Sequence, residues 1–125
     1  MEQKLLTPLE LKVMNILWSL KKAFVKELIA QWPDKPEPAY NTVSTIVRIL
    51  AEKGYVGHEQ MGRSHQYFPI ITKTKYQKRL MKSVMENVFS GSLSGMISSL
   101  LDNESVDGNE LSEIKKLIDQ SEEKQ

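Results

Sequence analysis

Apolar residues recur at helical spacing along most of the chain, and this pattern predicts helices as its main elements. The first helix opens at Thr7, which suits a cap, with Pro8 at the first helical position and Glu10 placed to complete a capping box. It is predicted to end near residues 21–22, and a shorter second helix over residues 24–32 leads into a proline-rich loop. The apolar face of the first helix comprises Leu9, Val13, Ile16, Leu17 and Leu20, with Trp18 beside it.

A third helix, predicted over residues 38–53, has two faces of different chemistry. Its apolar face must be buried against other elements, and it comprises Val43, Ile46, Val47 and Leu50. The opposite face presents Asn41, Thr42, Ser44, Thr45 and Arg48. Amides, hydroxyls and a guanidinium can bond base edges or phosphates, so this face is a candidate DNA contact. The alternative is a Ser/Thr-rich amphipathic helix that simply faces water.

A β-hairpin is predicted directly after this helix. Gly54 suits the left-handed cap that ends a helix, and residues 55–60 and 65–68 have the pattern of two short strands around a turn at 61–64. Three helices followed by a hairpin is the winged-helix arrangement, a mostly α fold with one small β-hairpin. In that arrangement Arg63, in the turn, projects toward the DNA backbone or the adjacent minor groove.

Helical periodicity returns after residue 72 and continues almost to the end of the chain. Gly91 breaks a long helix, Ser92 can cap a second, and Asp107 can open a third before a charged tail at 121–125 that is expected to fray. Three helices in about fifty residues cannot bury their own apolar faces, and a second copy of the chain would cover them. The residues predicted to form this dimer contact are Leu80, Val84, Val88, Leu93, Ile97 and Leu100.

The pattern therefore predicts a winged-helix DNA-binding domain over residues 1–71 and a C-terminal helical dimerisation region over residues 72–125. The alternative is that the C-terminal helices fold back on the winged helix of the same chain. Charge is unevenly distributed: residues 1–71 carry +2, residues 72–101 carry +4 and residues 102–125 carry −5. A mildly basic body with an acidic tail agrees with nucleic-acid binding that is specific rather than purely electrostatic.

Composition and motifs argue against several other functions. The chain has no cysteine, so neither a disulfide framework nor a thiolate metal site can form. No apolar run has the length of a signal-peptide core or a membrane span, which indicates a soluble, cytoplasmic protein. The only histidines, His58 and His65, could approach each other across the hairpin, but two imidazoles without further ligands make a poor metal site. No phosphate loop, zinc-protease motif or nucleophile elbow occurs, so we expect no catalysis and no cofactor.

The order and spacing of several segments resemble the penicillinase repressor family, the BlaI/MecI group whose relatives include the copper-responsive CopY repressors. These segments lie at residues 7–18, 39–45, 53–55, 62–63, 67–69 and 91–93. The resemblance implies a bacterial transcriptional repressor, a homodimer of winged-helix domains on a pseudo-palindromic operator in double-stranded DNA. The family's contact positions fall on Asn41, Thr42, Ser44 and Thr45, with Arg48 further along and Arg63 on the wing.

The chain also departs from the family pattern. Position 44 is often Arg or Lys in the family and is Ser here, which implies a different operator preference. Some members release DNA when a sensor-linked protease cuts an Asn-Phe bond in the dimerisation arm. The resemblance therefore implies such a protease as a partner, although the matching pair here is Ser99-Leu100. Copper-sensing members carry a C-terminal cysteine motif that this chain lacks.

A second hypothesis is a winged-helix module that binds protein instead of DNA, because one fold can carry both functions. The outward face from Asn41 to Arg48, together with Arg63, lacks the apolar anchors of a protein-binding surface. This composition favours DNA.

Overall fold

A computed structural model describes residues 5–102 and 106–124. Its elements, in chain order, are α1 Pro8–Leu20, α2 Val25–Ala30, α3 Tyr40–Glu52, β1 Val56–Met61, β2 Ser64–Pro69, α4 Lys73–Val88, α5 Leu93–Leu101 and α6 Gly108–Glu123. The chain divides into two compact units, one ending at Leu80 and the other beginning at Met81. The predicted mostly helical fold with one small hairpin is confirmed. Within the described residues, no helix has the length and apolar character needed to cross a bilayer.

The N-terminus of α1 forms as predicted. The Thr7 hydroxyl accepts the N–H of Glu10 at 3.2 Å, and Glu10 Oε1 accepts the N–H of Thr7 at 2.8 Å. The predicted apolar face is only partly right, because Leu9 and Leu20 are exposed whereas Met14 is fully buried. Both exposed leucines lie in the terminal turns of α1, where the buried stripe ends.

Helices α1, α2 and α3 pack on one another around the core of the first unit. The stripe predicted for the third helix is confirmed, since its four apolar residues are all buried. They are Val43, Ile46, Val47 and Leu50. Burying this stripe leaves the polar side of α3 on the surface, and that side is the candidate contact face.

A buried ion pair joins the beginning of α1 to the end of α3. Lys53, the C-cap of α3, places its Nζ 2.8 and 2.9 Å from the two carboxylate oxygens of Glu10. Burial by itself raises the pKa of Glu10, but the Lys53 ammonium and the Thr7 hydrogen bonds more than offset it, so the pKa lies below its ordinary value. The pair therefore helps to fix the orientation of α3 relative to α1.

Strands β1 and β2 pair antiparallel along their whole length, with Met61 opposite Ser64 beside the turn. The turn consists of only two residues, Gly62 and Arg63, and is shorter than the predicted turn at 61–64. Gly62 has a φ of +66°, a left-handed conformation that glycine adopts without steric cost. Arg63 is thus held at the tip of the hairpin.

The hairpin, which we call the wing, is also attached at its second strand. The N–H of Ala23 donates to the Tyr67 carbonyl at 2.9 Å, and the N–H of Tyr67 donates to the Ala23 carbonyl at 2.8 Å. Ala23 lies between α1 and α2 and is fully buried. These two hydrogen bonds fasten the wing to the connection between the first two helices.

The first turns of α4 belong to the first unit. Tyr76 is 3% exposed, and its phenol oxygen accepts the N–H of Leu6 at 3.1 Å. Its ring lies 6.0 Å from that of Trp18 and 5.9 Å from that of Tyr55. Leu80 packs partly against the same core. The structural division after Leu80 therefore lies beyond the boundary predicted after residue 71, because these side chains complete the core of the winged helix.

The second unit forms its predicted helix caps. Gly91, with a φ of +82°, follows the end of α4, and its N–H donates to the Met85 carbonyl at 2.8 Å. The Ser92 hydroxyl accepts the N–H of Gly95, and Asp107 Oδ1 accepts the N–H of Glu110, both at 2.9 Å. Helix α6 continues to Glu123, so it includes the first three residues of the tail that was expected to fray, and Gln125 lies outside the described residues.

Candidate nucleic-acid interface

The polar face of α3 is on the surface of the first unit. Asn41, Thr42, Thr45 and Arg48 are exposed, and Ser44 is half-buried. The Thr45 hydroxyl donates to the Asn41 carbonyl one turn earlier, at 2.9 Å. Its hydrogen is therefore used within the helix, while its lone pairs and its methyl group remain available to a ligand.

An open cleft of about 540 Å³ lies between the wing and the N-terminal parts of α2 and α3. Ser44 of α3 and Arg63 of the turn both line it, so the structure brings these two predicted site residues together. The other four predicted contact residues do not line the cleft and lie along the exposed face of α3. The candidate interface thus consists of a helix face and an adjoining cleft.

The cleft is also lined by polar residues that the sequence did not assign to the interface, including three that can donate hydrogen bonds to an anion. They are Lys26 at the start of α2, Tyr40 at the start of α3, and His65 on β2. Tyr40 precedes Ser44 by four residues, so helical spacing could have identified it. Lys26 and His65 reach the cleft only because α2 and the wing pack beside α3, and helix periodicity alone does not predict that packing.

The charged side chains that line the cleft give it a net positive charge of one. Lys26 and Arg63 carry positive charge, and Glu27 is the acidic residue in the lining. Its Oε1 accepts the N–H of Phe24 at 2.8 Å, so this carboxylate stabilises the beginning of α2. The cleft therefore suits an anionic ligand.

The charge of Arg48 acts on the second strand of the wing. Burial raises the pKa of the Tyr67 phenol, and the positive charge of Arg48 partly opposes this rise. Tyr67 also lines the cleft. Arg48 therefore contributes positive charge on the α3 side of the wing, although it is not part of the cleft lining.

The two histidines of the wing stack face to face. Their ring centroids are 4.4 Å apart, and the ring planes differ by 11°. The prediction that they approach each other is confirmed. Within residues 5–102 and 106–124, no group of three His, Asp or Glu side chains is arranged to hold a metal ion.

Comparison with known proteins identifies the family. The model of the penicillinase repressor family matches residues 6–120. The chain belongs to the penicillinase repressor family. It is 23% identical over 111 residues to the penicillinase repressor of Bacillus licheniformis, covering 89% of this chain and 87% of that protein. The family is one of transcriptional repressors, as the sequence resemblance implied.

Solved structures of the repressor BlaI share the fold of this penicillinase repressor family member. The solution structure of the BlaI DNA-binding domain has a TM-score of 0.52 and 25% identity, covering 60% of this chain and 92% of that domain. The Bacillus licheniformis BlaI monomeric form in complex with the blaP half-operator has a TM-score of 0.50 and 25% identity, with the same coverage. The predicted winged-helix fold is therefore confirmed.

Proposed function

We propose that this family member is a DNA-binding transcriptional repressor that acts as a homodimer on a pseudo-palindromic operator. The observation that carries the proposal is the exposed polar face of α3 beside a positively charged cleft that ends at Arg63. A relative of the same fold was solved on its half-operator, which supports the same role for this surface. In that role the protein acts in the cytoplasm, where bacterial DNA is found.

The dimensions of α3 suit a major groove. Its 13 residues span roughly 20 Å, and a B-DNA major groove about 12 Å wide admits one α-helix. Thr42 and Thr45 lie three residues apart and so share one side of the helix. We expect this side to meet base edges, while Asn41, Ser44 and Arg48 bind bases or phosphates at its margins.

The salt dependence of binding follows from the exposed cations. Lys26, Arg48 and Arg63 give about three phosphate contacts per protomer, or about six per dimer. A slope of roughly −5 is then expected in log K against log salt. The modest number of cations means that sequence-specific contacts must supply the preference for the operator.

The exposed apolar residues of the second unit support the dimer. Among its described residues, eight large apolar side chains are exposed, including Val88 at 67%, Leu93 at 56% and Leu100 at 55%. Burying each such side chain stabilises an interface by about 1.5–3 kcal/mol when burial is complete. A second copy would cover them, with each winged helix on one half-site about 34 Å from the other. The other three residues that were predicted to form the dimer contact are half-buried. They are Leu80, Val84 and Ile97.

A sensor-linked protease stays a prediction from the family resemblance. Ser99 and Leu100 lie within α5 and their side chains are exposed. A protease needs an extended substrate, so cleavage of this bond requires α5 to unwind locally.

The experiment for DNA binding is a gel shift with the promoter of the protein's own operon and a scrambled fragment of equal length, at roughly 150 mM salt. Preference for the promoter, with the expected salt slope, supports the proposal. Equal binding of both fragments would overturn the proposal that the protein recognises a specific sequence.

The experiment for the dimer is sedimentation of the full chain carrying Leu93→Asp and Leu100→Asp. These changes place charges on the exposed apolar residues and should give a monomer. Leu9→Asp is the matched control, because Leu9 is also exposed but lies in the first unit. If the double variant remains a dimer, the arm is not the interface.

One observation favours the protein-binding alternative. Tyr40 is 51% exposed and Met61 is 48% exposed, and both border the cleft. The sequence prediction that this surface lacks apolar anchors is therefore incomplete. A salt slope near zero in the gel shift, with no preference for the promoter, would support this alternative.

A further inference from the structure

The stacked histidines form a defined pair on one face of the wing. His58 lies opposite Tyr67, and His65 lies opposite Gln60, so the histidines are diagonal neighbours across the two strands. The Tyr67 ring lies 5.8 Å from His58 and 6.2 Å from His65. Stacking on His58 and contact with Tyr67 therefore restrict where the His65 ring can lie.

The pair is open to a ligand. Both histidines are exposed, and His65 lines the cleft with Arg63 and Ser44. Within residues 5–102 and 106–124, no hydrogen bond or ion pair uses an imidazole nitrogen of either histidine. A phosphate oxygen is a strong acceptor for the N–H of an imidazolium, and DNA bound at this cleft would supply one.

Among the residues that the structure describes, the charged groups around His65 do not already provide it with an acidic partner, so an anionic ligand could take that place. The titratable groups that share the cleft with His65 are Lys26 and Glu27 from α2, Tyr40 from α3, Arg63 from the turn and Tyr67 from β2. The positive charge of Arg48, on α3, also acts on Tyr67 and lowers the pKa of its phenol against the effect of burial. The carboxylate of Glu27 forms no ion pair with His65 in the described chain and instead accepts the N–H of Phe24. A bound phosphate would therefore be the acidic partner of the imidazole.

We propose that His65 is a further DNA-contacting residue, that His58 positions it by stacking, and that operator binding takes up one proton at this pair. The inference rests on the proposed function of the interface. As an imidazolium, His65 donates an N–H to a backbone phosphate beside Arg63. Two positive charges 4.4 Å apart repel each other, so each wing takes up one proton rather than two.

The test is the operator affinity of the full chain at constant salt between pH 8 and pH 6. Because a phosphate favours the charged form of an imidazole, affinity should rise by roughly five- to tenfold per wing as the pH falls. His65→Gln should abolish this rise. His58→Phe keeps a ring for stacking and should retain it, whereas His58→Ala should reduce it.

Each outcome decides a separate point. The chain has only these two histidines, and the α-amino group is the other group that ordinarily titrates in this range. If His65→Gln keeps the full rise, the proton goes elsewhere and the inference is overturned. If His58→Ala matches His58→Phe, the positioning role is overturned. His65→Asn serves as a second variant should His65→Gln melt at a lower temperature than the wild type.

The inference and the proposed function fail differently. Wild-type protein that binds the operator with the same affinity at pH 8 and pH 6, and still prefers it to scrambled DNA, leaves the proposed function standing and overturns the proton uptake. Protein that does not distinguish the operator from scrambled DNA at either pH overturns the proposed function itself.

Discussion

Replacing Glu10 by Gln should destabilise the first unit and reveal how strongly α3 is held. The amide can still accept the Thr7 N–H, but the Lys53 ammonium loses the carboxylate that lies 2.8 Å from it. Removing one partner of a fully buried pair costs about 3–5 kcal/mol. The Lys53 side chain is 20% exposed and can reach water, so we expect about 2 kcal/mol. For a domain of this size that is a fall in Tm of roughly 8–16 °C.

The pH dependence of stability tests the ion pair between Glu10 and Lys53 more specifically. Because the folded-state pKa of Glu10 lies below its ordinary value of 4.5, its contribution to stability is present above that value and is lost as the pH falls below it and through the folded-state pKa. In Lys53→Met, burial acts on Glu10 without the opposing ammonium, so its pKa should rise. The Thr7 hydrogen bonds remain in that variant, so its loss of stability in acid should be smaller than that of the wild type.

The assay is tryptophan fluorescence during thermal unfolding of the full chain. Trp18 and Trp32 are its two tryptophans, and both lie in the first unit, so the signal reports that unit. A Glu10→Gln variant that melts within about 2 °C of the wild type at pH 7 would refute the reasoning. An unchanged acid-dependent loss in this variant would assign the loss to other carboxylates.

Three more predictions concern the helix face and the wing. Thr42→Ala with Thr45→Ala should leave Tm and dimerisation nearly unchanged but lower operator affinity by about 1–3 kcal/mol per base contact, measured by gel shift against scrambled DNA; a retained full preference would contradict this role. Arg63→Ala should weaken binding to the operator and to scrambled DNA alike and make the salt slope shallower, and equal affinities with the wild type would exclude the wing from the interface. Gly57→Ala should cost about 1 kcal/mol in fluorescence-monitored melting, because a Cβ there would lie 2.6 Å from Phe68 Cζ and displace the ring; an unchanged Tm would show that the ring moves freely.

Local patterns predicted the helices and most of their ends. The capping residues Thr7, Ser92 and Asp107 each bond the N–H expected of them, because a cap depends only on residues within one turn. The buried stripe of α3 was equally predictable, since helical periodicity determines which residues share a face.

Features that depend on packing between elements were not predictable in this way. The periodicity of α4 assigns Tyr76 to the same stripe as Val84 and Val88, yet its ring is buried in the first unit because Trp18 and Tyr55 meet it there. Likewise, the residues predicted to contact DNA included Ser44 and Arg63 but not Lys26. The sequence did not predict Lys26 because α2 lines the cleft only through its position beside α3.

The attachment of the wing determines how far its tip, Arg63, extends from the first two helices. The wing is held within β2 by the bonds between Ala23 and Tyr67, and Arg63 lies four residues beyond Tyr67, roughly 13 Å away along the strand. Lengthening both strands by two residues would move Arg63 by about 7 Å, or about two base pairs along a DNA strand. Lengthening both strands by one residue would turn the side chains between the insertion and the turn to the opposite face of the hairpin. A change in wing length that keeps each side chain on its present face therefore requires two-residue steps.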